Sequence, residues 1–158
     1  MSELLQKLST YNIFNYLFPG IVFTILLKQY TEIDLIMDDL VLGMFLYYFF
    51  GLVLSRIGSI LIEPILRCTR IVQFSDYSRF IQASKLDNKI ELLSEVNNMY
   101  RTIIAMLIVL FAILTCKHSA TCHVTLGLLS LIILFILSYR KQTSFITKRI
   151  DEILHNTP

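Results

Sequence analysis

The sequence predicts an all-α integral membrane protein: four transmembrane helices, with a short helical segment between the second and third. Three observations carry this expectation. Hydrophobic residues make up 55% of the chain and charged residues 16%, against about 25% charged in ordinary soluble domains. The mean hydropathy is +0.65 over 158 residues, and a chain of that length buries only part of its surface, so lipid is the simplest cover for the remainder. The apolar residues also fall into separate runs bounded by charged or turn-forming residues.

The spans are expected at about 12–29, 40–62, 101–117 and 123–139, all within a single membrane domain covering 1–158. The first contains Pro19-Gly20 in mid-segment, a pair that membrane helices tolerate as a kink when neighbours re-satisfy the freed backbone. Its N-terminal flank carries Glu3 and Lys7, and no small-residue cleavage site follows, so the run is expected to persist as an anchor. The second span is uncharged from Leu40 to Ser55, meets Arg56, resumes through Ile57–Ile62, and ends or kinks at Pro64. Several runs are shorter than the usual ~20 residues, so their ends extend into the interface. Tyr11, Tyr16, Tyr30, Tyr100 and Tyr139 stand near span ends, where a ring with a polar tip is stable.

Between spans two and three, residues 67–100 form the intervening segment. Phe80, Ile81, Ile90, Leu93, Val96 and Tyr100 recur at helical spacing, with Asp87 as a candidate N-cap. The second piece of this segment is positioned to run unbroken into the third span. Residues 140–158 form a tail whose Phe145, Ile146, Ile150, Ile153 and Leu154 make it amphipathic.

Charge sets the expected orientation. The first connection has Lys28 against Glu32, Asp34, Asp38 and Asp39. The middle segment and tail carry Arg67, Arg70, Arg79, Lys85, Lys89, Arg101, Arg140, Lys141, Lys148 and Arg149. Positive connections remain in the cytoplasm, which puts both termini there as well.

Few residues suggest chemistry. Arg56 and Glu63 are seven apart, hence on one face of an α-helix, and sit in or beside apolar sequence. They read as an intramembrane charge pair, a lock or a pore ring; the plainer reading is an Arg that snorkels to the headgroups. Gly43, Gly51, Ser55 and Gly58 give the second span a small-residue stripe suited to close helix packing, within a subunit or between copies. Asn12, Asn15, Asn97 and Asn98 are candidates for interhelical hydrogen bonds. Arg67, Arg70, Arg79, Arg140, Lys141, Lys148 and Arg149 are candidates for contacts with anionic membrane lipids or a cytoplasmic protein.

Cys116 and Cys122 could pair across the third connection, which also holds His118 and His123. The spacing fits no standard zinc pattern, so free thiols are the plainer expectation and no metal is assigned. No Gly-rich phosphate loop, hydrolytic triad or carboxylate pair is evident, so neither a cofactor nor an enzymatic activity is expected. A net charge of +2 gives no ground for direct nucleic-acid binding.

Three stretches carry a family resemblance: Leu8-Ser9-Thr10-Tyr11-Asn12, Asn97-Asn98-Met99-Tyr100-Arg101-Thr102 entering the third span, and Ser138-Tyr139-Arg140-Lys141-Gln142-Thr143. In these and in topology the chain resembles the small four-span membrane proteins of bacterial anti-phage defence loci, the membrane subunits of Kiwa systems among them. The resemblance implies a homo-oligomer, with a tetramer as the expected form, in the bacterial inner membrane. There it would act as a sensor or scaffold that recruits or regulates a cytoplasmic partner. The alternatives are a pore-forming effector that depolarises infected cells, and a small channel or transporter subunit.

Overall fold

The computed structural model describes the backbone of residues 2–117 and 121–155, and side chains from residue 13 onward. Every regular element among the described residues is helical: α1 (Ser2–Tyr30), α2 (Leu40–Ile57), a π-helical turn (Gly58–Ile62), α3 (Glu63–Cys68), α4 (Tyr77–Leu86), α5 (Lys89–Cys116) and α6 (Cys122–His155). Among the described residues three rods are long and apolar enough to cross a membrane: Leu40–Cys68, Lys89–Cys116 and Cys122–His155. They make the chain a multi-pass membrane protein on length and composition.

α1 and α2 form an antiparallel hairpin whose closeness depends on two glycines. A methyl added at Gly51 would lie 1.8 Å from the Tyr16 carbonyl oxygen, and one added at Gly20 would lie 1.8 Å from the Tyr47 carbonyl oxygen. On each helix the glycine and the tyrosine are one turn apart, so the two contacts are reciprocal and fix the register. Backbone approach this close places glycine Cα–H groups against carbonyl oxygens. Asp39 starts α2 by accepting the Val41 and Leu42 N–H groups at 2.8 and 3.0 Å, as an N-cap carboxylate does.

The small-residue stripe of the second span therefore divides. Gly51 faces α1. Gly58 faces α5, where a methyl would come within 3.1 Å of Arg101. Ser55 is buried. Gly43 is buried, yet an added methyl there meets the ring of Tyr47 in its own helix.

α5 is the centre of the bundle. Residues Thr102–Leu107, Leu110 and Leu114 are all buried, and the helix touches α1, α2, the π turn, α4 and α6. In its most apolar stretch 44% of residues are buried, against 11% in α6, so α6 is peripheral and turns Leu126, Leu129, Leu131, Ile133, Leu134 and Leu137 outward. That outward apolar face suits lipid. At about 1.5 Å per residue α5 and α6 span roughly 42 and 51 Å, longer than the ~30 Å hydrocarbon core. Both overrun it at the end that carries most of the Lys and Arg.

At this basic end the helices make a small module. Ala83 of α4, Ile90 of α5, and Ile146 and Ile150 of α6 form its core. Residues 140–155 of the amphipathic tail continue α6, with no break after Tyr139: residues 128–155 contain neither Gly nor Pro, and the Arg-Lys-Gln sequence at 140–142 is compatible with helix. The middle segment consists of α3, a linker and α4, followed by the start of α5, whose first turns are the second helical piece expected after Asp87.

Replacing Gly51 or Gly20 by Ala should force α1 and α2 apart, costing upward of about 2 kcal/mol. Gly127→Ala, which meets nothing within 4 Å, should be neutral or slightly stabilising. Unfolding midpoints in mild detergent compare the three directly; equal midpoints would rule out the close crossing.

Candidate functional site

The site lies where the apolar stretches of α2, α5 and α6 end together, and it is built on the π turn. Pro64 has no N–H to offer the Ile60 carbonyl, and its ring crowds that oxygen. The helix widens just before it, and the Glu63 N–H donates to the Gly58 carbonyl instead. A π turn holds one more residue than an α turn. Residues beyond it are therefore set back by about 100°, one residue's rotation at 3.6 per turn.

This rotation decides which charges meet. On an unbroken α-helix Arg56 and Glu63 would share a face. Across the π turn they do not, and Glu63 instead forms an ion pair with Arg101 of α5. The pairing expected from spacing is thus corrected: the seven-residue rule fails because the intervening backbone is not α-helical. Both partners are substantially shielded, with 14% of the Arg101 side chain and 24% of the Glu63 side chain exposed. Arg56 points outward into a shallow groove with Leu52, Val53, Ile57, Ile60 and Leu61.

Around the pair is a cleft of about 280 Å³ between the α3–α4 side and the α5–α6 side. Arg67 stands over the Phe74 ring at 4.9 Å, a cation–π distance. Phe74 in turn meets Tyr139 edge-on at 6.4 Å, and Tyr139 is 1% exposed. The Thr143 hydroxyl donates to Asn97 Oδ1 at 3.2 Å, inside the protein. Two buried atoms at the cleft, Ser75 Oγ and Arg101 Nε, have no hydrogen-bond partner among the described residues.

The chain enters the linker over the cleft through Arg70, whose φ of 56° is left-handed. Val72 N–H then donates back to the Leu66 carbonyl at 3.2 Å, pinning the linker to α3. An L-residue pays for that conformation in steric energy, and the returning hydrogen bond offsets part of it.

The asparagines separate by role. Asn15 Nδ2 of α1 donates to Glu95 Oε2 of α5 at 2.9 Å. Asn97 joins α5 to α6, and Asn98 lines the cleft. The side chain of Asn12 lies outside the described residues. The basic residues separate too. Arg79 pairs with Asp151 at 2.9 Å, and Arg149 Nε donates to Asp87 Oδ2 at 2.8 Å, so these two tie the module together. Arg67 is engaged by Phe74, while Arg70, Arg140, Lys141 and Lys148 are exposed.

Asp87 starts α5 by accepting the Lys89 N–H at 3.0 Å. That bond, and then the Arg149 guanidinium, hold its carboxyl below the usual carboxylate range. Cys116 and Cys122 are exposed free thiols at the two lips of the α5–α6 turn. The disulfide considered from spacing is not formed, and the plainer reading of free thiols is the one the structure shows. His118 lies outside the described residues, and among those described no three metal-ligating side chains converge.

Spacing alone missed Arg101, Ser75, Tyr139, Thr143 and Glu95. The available signal was symmetry of position: Glu63 closes one apolar run while Arg101 opens another, so two spans entering the bilayer at one level bring them together. No family model, characterised protein or solved structure matches this chain.

Arg101→Gln should lower the unfolding free energy by about 2 kcal/mol, a buried-pair loss discounted for partial exposure. Arg56→Gln should change it by less than about 0.5 kcal/mol. A larger effect at Arg56 in the same detergent melt would contradict the assigned pairing.

Acid should loosen the module. The Asp87 carboxyl is depressed on folding, so its stabilisation is present above the unfolded value near ~4. It is lost as pH falls below that value and through the lower folded one. Amide exchange in the last turns of α6 should therefore accelerate below about pH 4, and Asp87→Asn should show fast exchange already at neutral pH. Unchanged exchange in Asp87→Asn would separate this carboxylate from α6 anchoring.

Proposed function

We propose that the chain is a four-span inner-membrane protein with both termini cytoplasmic. It would self-associate and serve as a non-enzymatic sensor or scaffold for a cytoplasmic partner in a bacterial phage-defence system. The observation that carries the sensor reading is the continuity of α5 and α6. Each runs without a break from apolar sequence into the basic module, so a tilt or shift of either helix within the bilayer moves the module as a lever.

α1 is the fourth span in this reading. Its Tyr16–Gly20 turn crosses the Tyr47–Gly51 turn of α2 in the middle of an apolar rod, and this close packing supports a membrane depth for α1 as well. The positive-inside rule assigns the basic module to the cytoplasm. Arg70, Arg140, Lys141 and Lys148, exposed on that module, supply a surface for an acidic partner. The outward face of α6 is available to a second copy, and the defence setting follows the family resemblance.

The test is purification from the native host in mild detergent, with mass measurement of the intact complex. The expected result is a homo-oligomer carrying a soluble protein, lost when Arg140, Lys141 and Lys148 are replaced together by Gln. A homo-oligomer with no companion, combined with ion leakage from reconstituted liposomes, would replace the scaffold by a pore.

A further inference from the structure

The Tyr139 hydroxyl and Glu63 both bond the Arg101 guanidinium in this cleft, yet one of its donors, Nε–H, has no partner among the described residues. Arg101 Nε–H can only donate, and Glu63 is engaged by another nitrogen of the same guanidinium, Nη1. Ser75 Oγ is also buried without a partner among the described residues. An unmet buried donor costs about 1–3 kcal/mol, more when it is charged. A native cleft that holds two such groups is shaped for something that brings oxygen atoms.

Charge narrows the class. The cleft is lined by two cations, Arg67 and Arg101, and one anion, Glu63. This balance favours a singly charged acceptor over a dianion, since Glu63 repels the second charge. Size permits it, because about 280 Å³ exceeds the share of several water molecules at ~30 Å³ each. Position narrows it again. Glu63 follows one apolar run, Arg101 precedes another and Tyr139 ends a third, so the cleft sits at the level where hydrocarbon gives way to headgroups.

We propose that this cleft binds the phosphodiester of an anionic phospholipid headgroup, held by Arg101 Nε–H, Ser75 Oγ and Arg67. This rests on the membrane reading above, and gives it a regulator: a lipid that joins the α3–α4 linker to α5 steadies the module against the spans. Arg67 stays over Phe74 while offering its remaining N–H groups to the phosphate.

The full chain in mild detergent is titrated with short-chain phosphatidylglycerol, with short-chain phosphatidylcholine and with inorganic phosphate, reading the unfolding midpoint. A ligand that binds the folded state raises the midpoint saturably. Phosphatidylglycerol should do so. Arg101→Lys keeps a positive charge opposite Glu63 but removes Nε–H, and Ser75→Ala removes an unpartnered hydroxyl at little cost to folding. Each should weaken the apparent affinity roughly tenfold, the equivalent of one hydrogen bond to a charged group. Lys85→Gln, exposed on α4 and outside the cleft, should leave it unchanged.

An equal response to inorganic phosphate, with the same variant pattern, would keep the cleft as a phosphate site but move its source from lipid to solution. No saturable shift with phosphatidylglycerol or inorganic phosphate overturns the proposal, as does a phosphatidylcholine response equal to that of phosphatidylglycerol, or an equal loss in Lys85→Gln, which would reduce the effect to general surface attraction. Should Arg101→Lys fail to fold, Ser75→Ala decides. Failure of the chain to sediment with membranes would overturn the membrane reading itself, separately from any failure of the cleft.

Discussion

Arg101 enters the interior of this protein with a charge it cannot lose, and the basic end is organised around the need to meet that charge. A guanidinium withdrawn from water without a partner is severely destabilising. Glu63 supplies the partner, and reaches it because the helix is wound one residue wide between Gly58 and Ile62. Pro64 makes the wide turn favourable, and Gly58 lets that turn press against Arg101. Three residues within seven positions of the second rod thus serve one ion pair on another helix.

From that pair the structure extends in two directions. Towards the apolar end, α5 continues as a buried column of Ile103, Met106, Leu107, Leu110 and Leu114, against which Phe23, Leu27, Leu54 and Leu128 close. Towards the charged end, the same helix carries Asn97, Glu95 and Ile90, which join it to α6, α1 and α4. Polar contacts are thus concentrated near the boundary and apolar ones elsewhere, as expected for a rod that passes from lipid to water. Arg149–Asp87 and Arg79–Asp151 then hold the module closed from outside.

The two ends differ in what they can transmit. The α1–α2 crossing rests on backbone against backbone at Gly20 and Gly51, flanked by the Tyr16–Tyr48 and Phe23–Phe50 ring contacts, so its register has little freedom to shift. The basic module rests on side-chain ion pairs and a small apolar core, contacts of the kind that salt screens and acid weakens. A backbone-packed crossing at one end and an ion-paired module at the other are what the proposed sensor role would use.

Much of the architecture was legible in residue order. Helical class, apolar rods and the unbroken run into α5 follow from composition and period, because lipid and the 3.6-residue repeat act locally. Asp87 as a start signal was readable for the same reason, and so was the suitability of Gly51 and Gly58 for close packing. The partners were decided by tertiary structure. Nothing in the spacing of Arg56 and Glu63 announces a π turn, whose rotation sends Glu63 to Arg101. Gly20 was visible as half of a kink, yet its function is set by a Tyr47 carbonyl on another helix. Arg79 and Arg149 read as open charges until α6 continued past Tyr139 and brought Asp151 and Asp87 to meet them. Sequence alone determined which segments are helical and which faces are apolar, since those depend on neighbours in the chain; only the folded bundle decided which polar groups meet, since that depends on the rotation and register of helices distant in sequence.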